Sequence, residues 1–107
     1  MPYYLVQASY THEAWTTMLK NPQDRTEGLR RLIEGLGGRL HGLYYAFGEH
    51  DIVVLLEAPD DQTAAAVSLS AAAPGHLKEI KTTVLLTPEE LMGVLRKAGA
   101  QTYQAPS

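Results

Sequence analysis

The sequence predicts an α+β fold of the ferredoxin-like type, with the order βαββαβ, a four-stranded antiparallel sheet and one further C-terminal helix. Residues 52–56 form an unbroken apolar run directly after a polar turn, a pattern typical of a strand that is covered on both faces. Helical patterns alternate with short segments that are typical of strands. A tight turn joins the second and third predicted strands. A split βαβ topology, with strands one and three central, is the simplest arrangement that fits.

The first half of the chain contains two predicted strands and two predicted helices. The aromatic and branched segment 3–10 favours a strand, and Thr11 can cap a short helix over 12–20. Asn21-Pro22 predicts the start of the next helix, because asparagine caps helices and proline suits the first helical position. Gly37-Gly38 ends that helix, since glycine tolerates the left-handed conformation. The second strand is predicted over 39–47.

The second half begins with a hairpin turn over 48–51 and a third strand over 52–57. Pro59-Asp60-Asp61 opens an alanine-rich helix whose small side chains allow close approach to the sheet, and Pro74-Gly75 ends it. The segment 77–86 has the polarity of an edge strand. A capping box over 87–90 starts the last helix. We expect one domain over 1–98 and a flexible tail over 99–107.

Composition limits the possible partners. A chain of 107 residues suits a single domain. The net charge of −3 and the lack of a basic block argue against a nucleic-acid partner. Cysteine is absent, which excludes disulfides and thiolate chemistry. The chain shows neither a signal-peptide pattern nor an apolar run of the ~20 residues that span a bilayer. A cytoplasmic protein without a membrane partner is the expectation.

The predicted sheet is apolar on both faces. Val6, Ala8, Ile52 and Val54 share the face that suits the helices. A second apolar face left in water would be unusual for a monomer, and burying three aliphatic side chains there contributes about 5 kcal/mol. We therefore expect two copies to pack sheet to sheet, as a dimeric α+β barrel that encloses a cavity; the alternative is that the C-terminal helix covers this face. The second face is predicted to carry Leu5, Leu43, Val53 and Leu55, together with Gln7, Ser9, His41, Tyr45, Phe47 and Glu57.

Several segments together resemble the GYD-domain family of small bacterial proteins. In that family's Gly-x-Tyr-Asp turn, this chain keeps Gly48 and Asp51 and has His50 at the tyrosine position. The resemblance implies a ferredoxin-like fold related to the dimeric α+β barrels, and no settled activity. Barrel relatives include cofactor-independent oxygenases, haem-handling enzymes and small-ligand sensors. The segments that carry the resemblance are Tyr10-Thr11, Glu13-Ala14-Trp15, 21–25, 36–38, 47–51, 57–60 and 81–83.

The first candidate for chemistry is His50 beside Asp51, since an imidazole near a carboxylate can act as a base or a metal ligand. The alternative is a purely structural turn, in which Asp51 caps backbone N–H groups and Gly48 supplies an unusual backbone angle. The four histidines lack helical i, i+4 spacing, so no metal site is predicted, and the sequence leaves any cofactor unknown.

The second candidate is a ligand site on the second face of the sheet. His41 or Glu57 could act as a general base there, with Tyr45 as a donor. Taken together with the first candidate, the catalytic candidates are His41, His50 and Tyr45. The alternative is that these groups satisfy one another across a dimer interface. The predicted ligand-binding residues are Gln7, Ser9, His41, Tyr45, Phe47 and Glu57.

Three function classes follow from this arrangement. The leading one is a small homodimer, or higher oligomer, that binds or senses a small organic ligand between its sheets. The second is a cofactor-independent enzyme that performs proton transfer or oxygenation in the same cavity. The third is a structural subunit whose inner face is filled by side chains.

Overall fold

A computed structural model describes residues 1–106 of the chain, which form four strands and four helices. Most boundaries lie within two residues of the predicted ones. The elements are β1 (Tyr3–Tyr10), α1 (His12–Lys20), α2 (Thr26–Gly35), β2 (Arg39–Tyr45), β3 (Ile52–Glu57), α3 (Asp61–Ala72), β4 (Leu77–Leu85) and α4 (Pro88–Gly99).

The strands form one sheet in the order β2-β3-β1-β4, and all neighbouring pairs are antiparallel. The predicted ferredoxin-like α+β fold is therefore confirmed, with β1 and β3 central. Helix α2 packs along β2 and helix α3 packs along β4, on the same side of the sheet. We call this side the helix face and the opposite side the open face.

The core lies on the helix face. Tyr4, Ile33 and Leu56 have side chains that are fully buried there. The Tyr4 hydroxyl donates a hydrogen bond of 2.6 Å to Asp61 Oδ1 at the start of α3. Burial and the Asp61 carboxylate raise the pKa of Tyr4 to about 12. One side chain of β1 thus fills the core and fixes α3 on the sheet.

The predicted start of α2 is wrong by about four residues. Asn21 belongs to the end of α1, where its backbone N–H donates to Thr17 O at 2.9 Å. Pro22 therefore lies in the connection, and the helix begins at Thr26, whose N–H donates to Asp24 Oδ1 at 2.9 Å. Asparagine and proline are equally suited to ending one helix and starting another, and the fold assigns this pair to the end of α1.

Strand β2 contains an irregularity that the sequence did not indicate. Leu40 pairs with Leu56, and the next paired residue, Gly42, lies opposite Leu55. His41 is therefore an inserted residue in this strand. One inserted residue reverses the alternation of side chains beyond it.

The reversal moves three residues that were predicted to lie on the second face. Leu43 packs against the core on the helix face, and Tyr45 lies opposite Ile52 on the same face. Phe47 lies beyond the end of β2 in the connection to β3, where its side chain is 99% exposed. Tyr44 takes their place on the open face. The prediction was wrong because it assumed uninterrupted alternation from residue 39 to 47.

Two glycines end α2 for different physical reasons. Gly37 has a φ of 88°, in the left-handed region that side chains disfavour. Gly38 has an ordinary φ, but a methyl group on it would overlap the carbonyl oxygen of Glu57 on the neighbouring strand. The absence of a side chain at Gly38 therefore allows β2 to approach β3 where the two strands begin to pair.

We expect Gly38→Ala to lower the free energy of unfolding by about 1–3 kcal/mol, because the added methyl group forces two strand backbones apart. Urea unfolding measures this loss. Gly48→Ala is the matched control, since a methyl group on Gly48 meets no atom within 4 Å. Equal stability of the two variants would contradict the close approach of Gly38 to Glu57.

Helix α4 does not cover the open face, so the alternative of a folded-back C-terminal helix is wrong. Within residues 1–106 it makes no extensive contact with another element and has no buried residue. The radius of gyration is 17.2 Å, against about 13 Å for a compact domain of this length. Residues 100–106 continue without helix or strand, and the last residue of the predicted tail, Ser107, lies outside the described residues.

The helices are short. Within residues 1–106, none combines the length and the apolar character that crossing a bilayer requires.

Candidate functional site

A cleft of about 460 Å³ lies on the helix face, between α2 and α3. Its volume is within the range of small-molecule sites in proteins, roughly 300–1,000 Å³. The central strands form its floor because α2 covers β2 and α3 covers β4, which leaves the middle of the sheet without a helix. The apolar residues of the floor and walls include Val6, Ala8, Leu29, Leu32, Leu43, Ile52, Val54, Val67, Ala71 and Ile80.

Small residues create this cleft. Gly28 of α2 lines it, and a methyl group there would meet no atom within 4 Å. On the other wall, Ser68 holds α3 to β4 through a 2.7 Å hydrogen bond between its hydroxyl and that of Thr82. The alanine-rich helix does approach the edge strand as predicted. Its Ala71, however, is too small to fill the space above the central strands.

The charged and imidazole groups of the cleft lie in the connection between α1 and α2 and in the connection between α3 and β4. Arg25 and His76 line it with exposed side chains, and Arg25 makes no ion pair with any residue of the described chain. Asp24 lies beside them, and its hydrogen bonds with Thr26 lower the pKa of its carboxyl group. Tyr10 is buried in the cleft, where burial and the neighbouring Tyr45 phenol raise its pKa. An apolar cavity with a few polar groups is typical of a site for an organic ligand.

No local pattern of the sequence predicts this cleft. The available signal for open space between the helices was Gly28 within the helical pattern of α2, together with the alanine and serine residues of α3. Volume between two helices depends on their spacing over the sheet, which local patterns do not encode. Arg25 and His76 are far apart in the chain and became neighbours only through folding.

On the open face, three of the polar side chains lie together at one end of the sheet. His41 Nε2 is 2.7 Å from Glu57 Oε1, and the Tyr3 ring lies 5.3 Å from the His41 ring. His41 faces this side as alternation from Arg39 predicts, because the insertion reverses only the residues after it. The imidazole is the main cause that lowers the pKa of the Glu57 carboxyl, and Glu57 in turn raises the pKa of Tyr3.

The remaining predicted ligand-binding residues are not gathered around this cluster. Gln7 lies on the open face between Val53 and Lys81. Ser9 is buried, with its hydroxyl 3.4 Å from the carbonyl oxygen of Glu49. Tyr45 faces the helices, and Phe47 lies in the connection between β2 and β3. His41 and Glu57 are thus the only predicted members that the described chain brings into contact.

The contact between His41 and Glu57 predicts a pH dependence of stability. The lowered pKa means that the carboxyl group of Glu57 binds a proton more readily in the unfolded state than in the folded state. The contribution of Glu57 to the free energy of unfolding is therefore complete above its ordinary pKa of 4.5, and it is lost as the pH falls through the lowered value. We expect carboxyl NMR titration to give Glu57 a pKa below 4.5, which moves toward 4.5 in His41→Gln. His12→Gln, at an exposed histidine, is the control. An identical Glu57 pKa in all three proteins would show that His41 does not cause the shift.

Comparison with known protein families identifies the chain. The GYD domain family model matches residues 4–95. The chain belongs to the GYD domain family. A relative from Thermus thermophilus is 32% identical over 78 residues, which is 73% of this chain and 82% of the relative. That protein bears the name "Glutamine synthetase and cystathionine beta-lyase binding protein".

Two solved structures share the fold of this GYD domain. The crystal structure of MtbAldR matches with a TM-score of 0.62 at 12% sequence identity over 80% of the chain. The chain spans about half of MtbAldR, 53% of its length. TTHA0845 from Thermus thermophilus matches with a TM-score of 0.53 at 16% identity, covering 81% of this chain and 95% of that one. At such identities the likeness concerns the fold alone.

In the turn over residues 48–51, the side chain of Asp51 holds the backbone of β1. Asp51 Oδ2 accepts the backbone N–H of Tyr10 at 2.9 Å, where the pairing of β1 with β4 is irregular. This agrees with the cap that we predicted for Asp51. The predicted unusual angle at Gly48 is wrong, since its φ is not positive.

His50, in the tyrosine position of the GYD motif, is buried beside the open face. Its Nε2 lies 3.4 Å from Glu79 Oε1, without the alignment of a hydrogen bond, and has no other partner in the described chain. Within residues 1–106, no group of three or more histidine, aspartate or glutamate side chains is placed to hold a metal ion.

Proposed function

We propose that this GYD domain is a binding protein that holds a small apolar or aromatic organic acid in the cleft between α2 and α3. The observation that carries the proposal is the cleft itself, with a volume of about 460 Å³, apolar walls and the cation Arg25, which is unpaired among the described residues, at its side. Apolar walls supply most of the binding free energy, and a few polar groups orient the ligand. A relative that is named for binding two enzymes supports a binding role and names no small ligand.

This proposal places the ligand on the other side of the sheet from the predicted site. The open face offers a surface, whereas the helix face offers a partly open cleft of about 460 Å³. The cleft also gathers groups from two connections, which is the usual way in which a small domain builds a site. The ligand class follows from Arg25 and His76, which favour a carboxylate or a similar anionic group.

We expect Gly28→Leu to weaken binding of 8-anilinonaphthalene-1-sulfonate, an aromatic anion, by at least about tenfold, roughly 1.4 kcal/mol. The new side chain enters the cleft, and leucine favours the helix over glycine by about 0.5–1 kcal/mol, so the fold is retained. Fluorescence titration measures the affinity. Gly35→Leu, in the same helix but outside the cleft lining, is the matched control.

A second pair of variants tests the choice of an anion. Arg25→Gln should weaken the binding of the same probe, while Arg31→Gln, on an exposed part of α2, should not. Cooperative thermal unfolding of each variant excludes probe binding to a loosened core. Equal affinity of the Gly28 and Gly35 variants would overturn the cleft as the site.

We also propose that the protein is a homodimer that pairs through its open faces. Leu5, Val53 and Leu55 of the central strands and Leu85 of β4 lie on this face, and Tyr44 is 68% exposed there. A surface of this kind favours a partner. Native mass spectrometry at micromolar concentration is the test, and a monomer under those conditions would contradict the dimer.

The second candidate function is acid–base catalysis between the paired sheets. The 2.7 Å contact of His41 with Glu57, beside Tyr3, favours it, because a carboxylate that orients an imidazole is a common catalytic arrangement. This candidate requires a void between the two sheets. A structure of the dimer in which Leu5 and Leu55 fill that space would remove it.

A further inference from the structure

Helix α4 is built to remain helical and yet, within residues 1–106, makes no extensive contact with another element and buries none of its residues. Its start carries a complete capping box, in which Thr87 and Glu90 bond to each other's backbone N–H groups at 3.1 and 2.9 Å. A helix of 12 residues is marginal in water without tertiary packing. The capped helix therefore requires a surface that the rest of the described chain does not provide.

The sequence of α4 divides it into an apolar side and a polar side. Leu91, Val94 and Leu95 follow helical spacing on one side, and each is 44–52% exposed. Arg96 and Lys97 lie on the other side with Glu89 and Glu90. With two acidic and two basic residues, the helix lacks the excess positive charge of a membrane-surface helix. Its apolar side is suited to a protein surface.

The start of α4 lies at the edge of the open face. The helix begins at Pro88, and two residues separate it from the end of the edge strand β4 at Leu85, which pairs with Tyr3. Glu90 in its first turn lies near enough to Tyr3 for its charge to raise the pKa of that phenol. The helix thus leaves the domain at the corner of the open face that holds Tyr3, His41 and Glu57.

Area and charge both favour a second copy as the occupant. Four strands of about eight residues give a face of about 500 Å², short of the roughly 800 Å² that each partner buries in a standard interface. The side of a 12-residue helix adds about 180 Å², and side-chain relief raises both figures. The open face is also balanced, with Arg39 and Lys81 against Glu57 and Glu79, so two identical faces do not repel.

We infer that α4 is an arm that packs through Leu91, Val94 and Leu95 on a second copy of this chain, and that each copy of the dimer contributes one such arm. The arm extends the interface beyond the sheet and explains why a capped amphipathic helix projects from its own domain. This inference rests on the proposed dimer, which it deepens by naming the element that completes the contact.

The test compares two double variants of the full chain that change the net charge equally. Leu91→Glu with Leu95→Glu alters the apolar side of α4, and Arg96→Gln with Lys97→Gln alters the polar side. We expect sedimentation equilibrium to show a dimer dissociation constant at least about 100-fold larger for the first pair, because two leucines leave an apolar contact. The second pair should stay close to the native value. Hydrogen exchange should show α4 amides protected in the native dimer and unprotected on dilution to monomer.

Each other outcome overturns the inference in a distinguishable way. A native chain that stays monomeric removes both the dimer and the arm. A dimer that neither pair weakens, with unprotected α4 amides, removes the arm and leaves the sheet-to-sheet dimer. If the leucine variant loses its cooperative unfolding transition as a dilute monomer, α4 packs on its own domain and the arm is wrong.

Discussion

Replacing Tyr4 with alanine should lower the free energy of unfolding by about 3–5 kcal/mol, as for other large aromatic side chains in a core. Tyr4 is 1% exposed and lies in the central strand β1. The substitution leaves a cavity between the sheet and α3, and it also removes the hydrogen bond to Asp61. Because a domain of this size is stable by only about 5–15 kcal/mol, urea unfolding should detect the change as a large fall in midpoint.

Two controls separate the contributions at this position. Tyr4→Phe keeps the ring and removes only the hydroxyl, so we expect a loss of about 1 kcal/mol. Tyr103→Ala removes a tyrosine that is 82% exposed in the C-terminal segment and should change stability by less than about 0.5 kcal/mol. A loss for Tyr4→Ala no greater than that of Tyr103→Ala would show that Tyr4 is not part of the core.

Replacing Asp51 with alanine should lower the free energy of unfolding by about 1.5–3 kcal/mol, since it removes a charged acceptor and leaves the backbone N–H of Tyr10 without a partner. For a domain of this length the melting temperature should fall by roughly 5–12 °C. Calorimetry or circular dichroism measures the shift. Asp51→Asn keeps an acceptor oxygen at the same place, so its loss should be smaller.

The same variant decides between a structural and a functional role for the GYD turn. If Asp51→Ala melted at the native temperature and abolished binding of 8-anilinonaphthalene-1-sulfonate, Asp51 would contact the ligand rather than hold the turn. The reverse pattern, a lower melting temperature with unchanged affinity below the transition, is the one that the hydrogen bond to Tyr10 predicts.

The two sides of the sheet suit two different tasks. The helix face contains an apolar volume beside Arg25 and His76, and we propose it for a small ligand. The open face and α4 present apolar surface without enclosed volume, and we propose them for a second copy. Val6 and Val54 belong both to the core and to the floor of the cleft, so changes at these residues would act on stability as well as on binding. Variants in α2 and α4 therefore test the two tasks more cleanly than variants in the sheet.

Local signals sufficed for most of the fold because each depends on neighbouring residues. The unbroken apolar run 52–56 predicted a central strand, Gly37 predicted the end of α2, and Thr87 with Glu90 predicted the capping box, and all three are as expected. The start of α2 was mistaken because Asn21 and Pro22 suit either end of a helix. The face of Tyr45 was mistaken because the insertion at His41 has no sequence signature, and one extra residue turns every later side chain to the other face.

The sequence alone determined the order of elements, the central place of β1 and β3 and the presence of a second apolar face, since periodicity and turn chemistry are properties of consecutive residues. Only the tertiary structure decided that α2 and α3 stand apart over the sheet, that Arg25 and His76 meet at the resulting cleft, and that α4 projects from the domain. These features depend on distances between elements far apart in the chain, which are set by packing of the whole and not by any local pattern.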